Sequence, residues 1–402
     1  MRRVLTPARS ALLLAAVVLV SLPAAGQFLD DFRGPGLPKD PDGIRGWAYF
    51  SGEGNAVMDF VQGDGYASIF VDATKDRRNV WWALIKHRIS DGLDLARLRD
   101  SRHELRIEAR VRASHAPRRI NLHLNTQKTV DFHSHLMEFD IPKPNEWHVI
   151  SMTTRDFRAE PGDTVNGQLA LIDWGLGKYR LDVDYFKVDV VDPVSVGPDL
   201  GEPIPYHPPV ADPKIFSHRI AVAQDGMVDS ENPDVNLGKW RISEGENEIS
   251  LESVGGALSA ILRWDFSEFA GKKTAGSGLL ELTTHSVERT SKDIPDFGLI
   301  RVVEILGGEP GWNRGTISWN SLLRGAPPDF VLCPQMIIDW PVSEGDGAKT
   351  YLTISRPVLQ RLIDGRTLGI AVRPLGAIHA AFYSKEFENG KFAARLLFNT
   401  AL

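Results

Sequence analysis

Apolar and polar residues alternate with period two over much of the chain. The pattern is clear in Leu105–Val111, Ile120–Asn125 and Tyr179–Val188, and again in Ala260–Phe266, Leu299–Leu306, Thr316–Trp319 and Leu368–Val372. Such alternation between Gly, Pro and Asp clusters predicts strands with one buried face. Helical signals are few. Ser90–Asp100 holds a short turn. Ser355–Gly365 reads as a helix with Ser355 as cap, Pro357 in the first turn and Gly365 as the stop. Many short strands with turn signals predict an all-β protein of two β-sandwich, jelly-roll-like domains.

Two segments break the pattern. Seven of the 25 prolines fall between Pro193 and Lys214. Proline fixes φ and lacks an N–H, so residues 193–214 read as a semi-rigid linker between domains at 27–192 and 215–402. At the N-terminus, Arg2, Arg3 and Arg9 precede the apolar run Ala11–Leu22, and Ala24-Ala25-Gly26 follows. This is the layout of a secretory signal peptide over residues 1–26, with cleavage before Gln27. The expected location is therefore secreted or periplasmic. No later apolar run is long enough to predict a membrane span.

Composition narrows the partners. The 402 residues carry a formal net charge of −6, and removing the signal takes away three arginines and no acid, leaving −9. Bulk charge of this sign argues against nucleic acid. An acidic glycan would need a local arginine and histidine groove. The single cysteine, Cys333, forms neither an internal disulfide nor a cysteine-rich zinc site. The chain lacks His-Glu-x-x-His, Gly-x-Ser-x-Gly, a P-loop and a dinucleotide fingerprint.

The first domain holds the candidate site. Asn121, His123, Asn125 and Gln127 share one face of a strand. Amides and imidazole both donate and accept hydrogen bonds, which suits hydroxyl recognition. His133 and His135 are expected on one face of a neighbouring strand. Arg106, Glu108, Arg110 and Arg112 share a face of another. Adjacent in a jelly roll, these strands would build one groove that includes Arg106, Arg110, Asn121, His123, Asn125, His133 and His135. Trp81 and Trp82 must point to opposite faces, so one of them, Trp82, is expected to reach a surface where sugar rings stack. Tyr179 and Tyr185 are both odd-numbered and expected to share a face. Trp47 and Trp174 lie beside glycines, on loops or in packing.

Residues 215–402 carry an ordered set of strings: Gln224–Gly238, Ile261-Leu262-Arg263-Trp264-Asp265-Phe266-Ser267, Gly311–Asn320 and Phe382-Tyr383-Ser384-Lys385-Glu386. In this order they resemble the DNRLRE-type β-sandwich, the group that includes carbohydrate-binding module family 96. Phe28-Leu29-Asp30-Asp31-Phe32, Glu146-Trp147-His148-Val149 and Asp182–Val188 are similar, more loosely, to galactose-binding-like jelly rolls. The resemblances imply exported modules that bind glycans. The second implies a structural Ca²⁺ at Asp30, Asp31 and Asp184. Asp229, Asn232 and Asn236 offer oxygens for a turn or for a second hard cation.

The expected function is an exported, non-catalytic protein that recognises a polysaccharide. Two alternatives stay open. One is a carbohydrate-active enzyme, a polysaccharide lyase or glycosidase with its site in the first domain. The other is a structural cell-surface or adhesion protein.

Overall fold

The computed structural model describes residues 26–33, 45–52, 54–76, 82–172, 174–175, 177–205, 208–244, 247–289 and 298–401. Residues 1–25 of the expected signal peptide (1–26) and the face assigned to Trp81 lie outside the described residues.

Up to residue 205 the described strands are β1 (Gln27–Asp30), β2 (Trp47–Gly52), β3 (Val57–Gln62), β4 (Ala67–Asp72), β5 (Trp82–Arg88), β6 (Glu104–Ala113), β7 (Arg118–Thr126), β8 (Leu136–Ile141), β9 (His148–Thr153), β10 (Val165–Ile172), β11 (Lys178–Val191) and β12 (Glu202–Ile204). They form two antiparallel sheets. One has the order β3-β4-β11-β6-β9, with β1 also on β11; the other runs β12-β8-β7-β10-β5-β2. The alternation read from the sequence supplies the core. Leu105, Ile107, Ala109 and Val111 of β6 meet Ile120, Leu122 and Leu124 of β7 in one apolar cluster. Sheet pairs of this kind bury one face of each strand and leave the other outward.

A register shift between Val183 and Tyr185 in β11 changes the phase of that strand. Tyr179 faces the core, and so do Phe186 and Val188. Tyr185 turns outward, where its hydroxyl donates to Glu108 Oε1 at 2.7 Å. The two tyrosines therefore lie on opposite faces, because the extra residue of a bulge breaks the period of two. Trp47 and Trp174 are fully buried. Their indole N–H groups donate to Asp30 Oδ2 and to the Arg119 carbonyl.

Residues 218–398 form one antiparallel ladder of eleven described strands. Strand Gly278–Arg289 pairs first with Lys349–Ile354 and Arg395–Phe398. After a shift at Thr284–Ser286 it pairs with Ile378–Tyr383. The ladder bends there into two layers, and Leu280, Leu352 and Phe398 pack against Leu262, Ile300 and Val372. The helix Arg356–Ile363 forms as expected, but the Ser355 side chain makes no cap hydrogen bond. Thr316–Trp319 is not a strand. Ser318 and Ser321 exchange a capping box that starts the short helix Trp319–Leu323, and this outweighs the local alternation.

The proline-rich segment is pinned at residues 197–204 to the first sandwich, and at Pro209 its carbonyl accepts from Thr353 Oγ1 of the second half at 3.0 Å. Pro203 sits in β12, an edge strand, where a missing N–H is tolerated. Arg106 Nη2 donates to the Pro198 carbonyl at 3.0 Å, and Ser151 Oγ accepts from Leu200 N at 2.7 Å. Among the described residues no helix is long and apolar enough to cross a membrane.

Candidate functional site

The outer face of the β12-β8-β7-β10-β5-β2 sheet gathers polar and aromatic side chains in register. Ladder partners directly opposite one another share a face, so the pairings define rows across the sheet. Gly52, Trp82 and Ile172 form one row. Phe50, Leu84, Ala170, Asn121 and Glu138 form the next. Ala48, Lys86, Gln168, His123 and Leu136 follow, and then Arg88, Asn166 and Asn125.

The apolar end is built around Trp82. A Cβ on Gly52 would fall 2.3 Å from the Trp82 ring, so the indole lies across a backbone with no side chain. The Phe50 ring meets it edge-on, at 5.4 Å and 81°. Phe50 is 42% exposed, and Trp82, Leu84 and Ile172 are half-buried. A partly exposed aromatic pair of this kind leaves apolar area for a ligand face.

The polar end is built from amides and one imidazole. His123 stands opposite Gln168 across the ladder. Its Nε2 has no partner among the described residues. Burial, then the neighbouring His135, hold its pKa down at about 4, so the ring is neutral near pH 7. A neutral imidazole can donate or accept a hydrogen bond. Asn125 Oδ1 accepts from Asn166 Nδ2 at 3.3 Å, while Asn125 Nδ2 is unpartnered among the described residues. The Phe132 ring stands edge-on to His123 at 6.3 Å and is 61% exposed.

Residues of the second half cover the β8–β12 end of this face. Arg119 binds Glu138 Oε2 at 2.7 Å and donates to the Ile337 carbonyl at 3.1 Å. Asp140 is held by Arg361, and Glu202 by Arg356. The part that reaches the surface is therefore Phe50 of β2, Trp82, Leu84 and Lys86 of β5 and Ile172 of β10, while Gln168, Asn121, His123 and Asn125 beside them are buried.

The expected single groove does not form. Asn121, His123, Asn125 and Trp82 share this face. Arg106 and Arg110 belong to β6 in the opposite sheet and point away from the sandwich on its other side. The core between the sheets separates the two sets. Arg106 is spent on the proline-rich segment: it pairs with Asp199 at 3.1 Å and bonds Ser151 Oγ and the Pro198 carbonyl. Arg110 pairs with Asp184 at 2.7 Å and stacks on Trp147. His133 and His135 are not on a strand. Asp131 Oδ1 accepts from His133 N and makes a turn there, and the backbone of His135 is left-handed, at φ 57°. His133 faces Asp131, and His135 Nε2 meets the Arg155 carbonyl beside Phe157.

The carboxylates expected to hold Ca²⁺ have other partners. Asp30 accepts from Phe32 N and Trp47 Nε1 and pairs with Arg45 at 3.1 Å. Asp31 closes a turn onto Arg33 N, and Asp184 lies between Arg33 and Arg110. Among the described residues no group of three or more His, Cys, Asp or Glu gathers to hold a metal. In the second half, Asp229 accepts from Asn232 Nδ2, and Asn236 Nδ2 donates to the Arg314 and Ile317 carbonyls, which is turn chemistry.

Sequence reasoning missed Phe50, Lys86, Gln168 and Ile172. Trp82, Leu84, Lys86 and Arg88 alternate on β5, as do Asn166 and Gln168 on β10, so the faces were readable. That these strands flank β7 was not, because pairing order is a tertiary property.

No family model matches the chain, and no curated protein matches it. The solved structures similar to it include a family 11 carbohydrate-binding module from Clostridium thermocellum in complex with a β-1,3-1,4-mixed-linked tetrasaccharide. It is 14% identical and covers 41% of this chain and 96% of that one, with a TM-score of 0.26. The tandem CBM22-1-CBM22-2 domain of Paenibacillus barcinonensis Xyn10C is 11% identical, covers 94% and 98%, and has a TM-score of 0.27. The glycoside hydrolase domain of Endo-D from Streptococcus pneumoniae R6 is 10% identical, covers 89% and 43%, and has a TM-score of 0.27. Likenesses of this degree carry nothing about a ligand, and the functional reading rests on the site itself.

Proposed function

We propose that this chain is a carbohydrate-binding protein that holds a polysaccharide on the outer face of β2 and β5, beside β10 and β7. The observation that carries the reading is the Trp82 indole laid across Gly52 and braced by Phe50, on the same face as Gln168 and His123 two rows further along the strands. A sugar ring presents an apolar C–H face and a polar rim. The indole supplies the stacking surface, and the buried His123 Nε2 and Asn125 Nδ2 at its β7 edge, unpartnered among the described residues, offer polar groups to a hydroxyl that reaches them. A strand-borne platform of this kind binds an extended chain along its length. The finer reading keeps residues 1–26 as an export signal, so that the face meets glycans outside the cytoplasm, and keeps residues 215–402 as a DNRLRE-type sandwich packed against the binding module.

Affinity electrophoresis and calorimetry on a panel of plant and algal polysaccharides test the proposal, with the full chain and Trp82→Ala. Loss of the stacked area is expected to weaken binding by about tenfold or more. Retention of no glycan by the wild-type chain, or equal binding by Trp82→Ala, would sink it.

A further inference from the structure

Among the described residues, the charges on the outer face of this sheet are matched except for one. Its carboxylates at the β8–β12 end are each held by an arginine: Glu138 by Arg119, Asp140 by Arg361 and Glu202 by Arg356. Arg88 lies at the rim beside Asp91, at 3.4 Å. Lys86 is half-buried on β5 between Ala48 and Gln168, and no hydrogen-bond or ion-pair partner meets it among the described residues. His123 in the same row is neutral near pH 7 and supplies no charge there. The open face therefore carries a net positive charge at one point, although the whole chain is acidic.

An ammonium with no carboxylate beside it is a charge-assisted donor that gains from an anionic partner. Lys86 stands four residues along β5 from Trp82 on the same face, about 13 Å away at strand rise. A ring stacked on the indole does not reach it. A chain running along the strand does.

We infer that the polysaccharide held on this face is acidic, and that Lys86 binds an anionic substituent, a carboxylate or a sulfate ester, on a sugar beyond the one stacked on Trp82. The inference rests on the glycan-binding reading. It replaces the arginine and histidine groove expected from the sequence with a single lysine. A carboxylate and a sulfate present the same charge-assisted acceptors, so the ligand classes are a uronate polymer and a sulfated galactan.

The test uses the full chain against matched pairs: polygalacturonate and its fully methyl-esterified form, and carrageenan and its desulfated form. Calorimetry at low ionic strength is run on wild type, Lys86→Gln, Lys86→Arg and Trp82→Ala. The wild type is expected to prefer the charged member of one pair by about tenfold, the value of a hydrogen bond to a charged group. Lys86→Gln should bring that ratio close to one by weakening the charged member more than the neutral one. Lys86→Arg should keep the preference, and Trp82→Ala should weaken both members. The pair that shows the preference identifies the substituent. Equal wild-type binding to both members, or an undiminished ratio in Lys86→Gln, overturns the inference and leaves glycan binding standing. Absence of binding to every polymer overturns both.

Discussion

Arg361 grips Asp140 across the junction of the two halves with both terminal nitrogens, at 2.7 and 3.1 Å. The same guanidinium holds Glu304 of its own half at 2.9 and 2.8 Å. All three side chains are buried. One arginine thus compensates two carboxylates that would otherwise lie uncharged-for in a dry contact, and burial still raises the Glu304 pKa against the pull of Arg361.

Removing Arg361 should therefore destabilise both halves together. Arg361→Met leaves two buried carboxylates without a cation and is expected to cost about 3–5 kcal/mol in urea unfolding. Adding Asp140→Asn and Glu304→Gln should restore most of the loss, since the penalty lies in the unpaired charges. A loss that the two neutral substitutions leave untouched would place the effect in packing alone.

Gly52 predicts how the Trp82 platform is tuned. Its backbone lies directly under the indole. Gly52→Val should lift the ring and weaken glycan binding by about tenfold, close to the effect of deleting the ring's contact area. The far-ultraviolet dichroism should stay that of the parent, because valine suits a strand. Unchanged affinity would mean that the ring position is immaterial.

Arg106 was expected in the binding groove and is instead an anchor. It bonds the Gly197 and Pro198 carbonyls, Asp199, Ser151 and Thr153. Arg106→Ala should leave glycan affinity within about twofold and lower stability by about 1–3 kcal/mol, as buried acceptors lose their donor. Limited proteolysis should then cut near residues 193–200 sooner than in the parent.

The second half contains a pH-sensitive core. Arg314 contacts Glu252 and Ser250 Oγ, and pairs with Asp225 at 3.1 Å. Burial, reinforced by Asp225, pushes the Glu252 pKa up to about 8. Across the window from the ordinary glutamate range to about 8, the folded chain holds a proton that the unfolded chain has released. Stability is then highest below that window and falls as pH rises through it. Glu252→Gln should flatten this slope, a difference of about 3–4 kcal/mol between pH 5 and 8. Parallel profiles for the two proteins would show that Glu252 does not titrate there.

Much of the fold was legible in the sequence. Alternation in Leu105–Val111 and Ile120–Asn125 placed the core faces correctly, because a strand with one dry side must repeat every two residues. The helix at Ser355–Gly365 was readable from its proline and glycine. The failures were local as well. The bulge near Asp184 reversed Tyr185, the Asp131 turn removed His133 and His135 from any strand, and the Ser318 capping box took Thr316–Trp319 out of the sheet. Each is a short-range hydrogen-bond device that apolar periodicity does not encode.

By itself, the sequence determined the all-β class and the polar character of Asn121, His123 and Asn125. It also determined that Trp82 could face outward. Only the tertiary structure decided which strands are neighbours. It put Arg106 and Arg110 on the far sheet and brought Phe50, Lys86 and Gln168 beside the β7 amides. It also closed one end of that face with Arg361 and Ile337. The physical reason is that periodicity fixes the face of a strand, whereas strand order is set by which apolar faces bury each other across long separations in the chain.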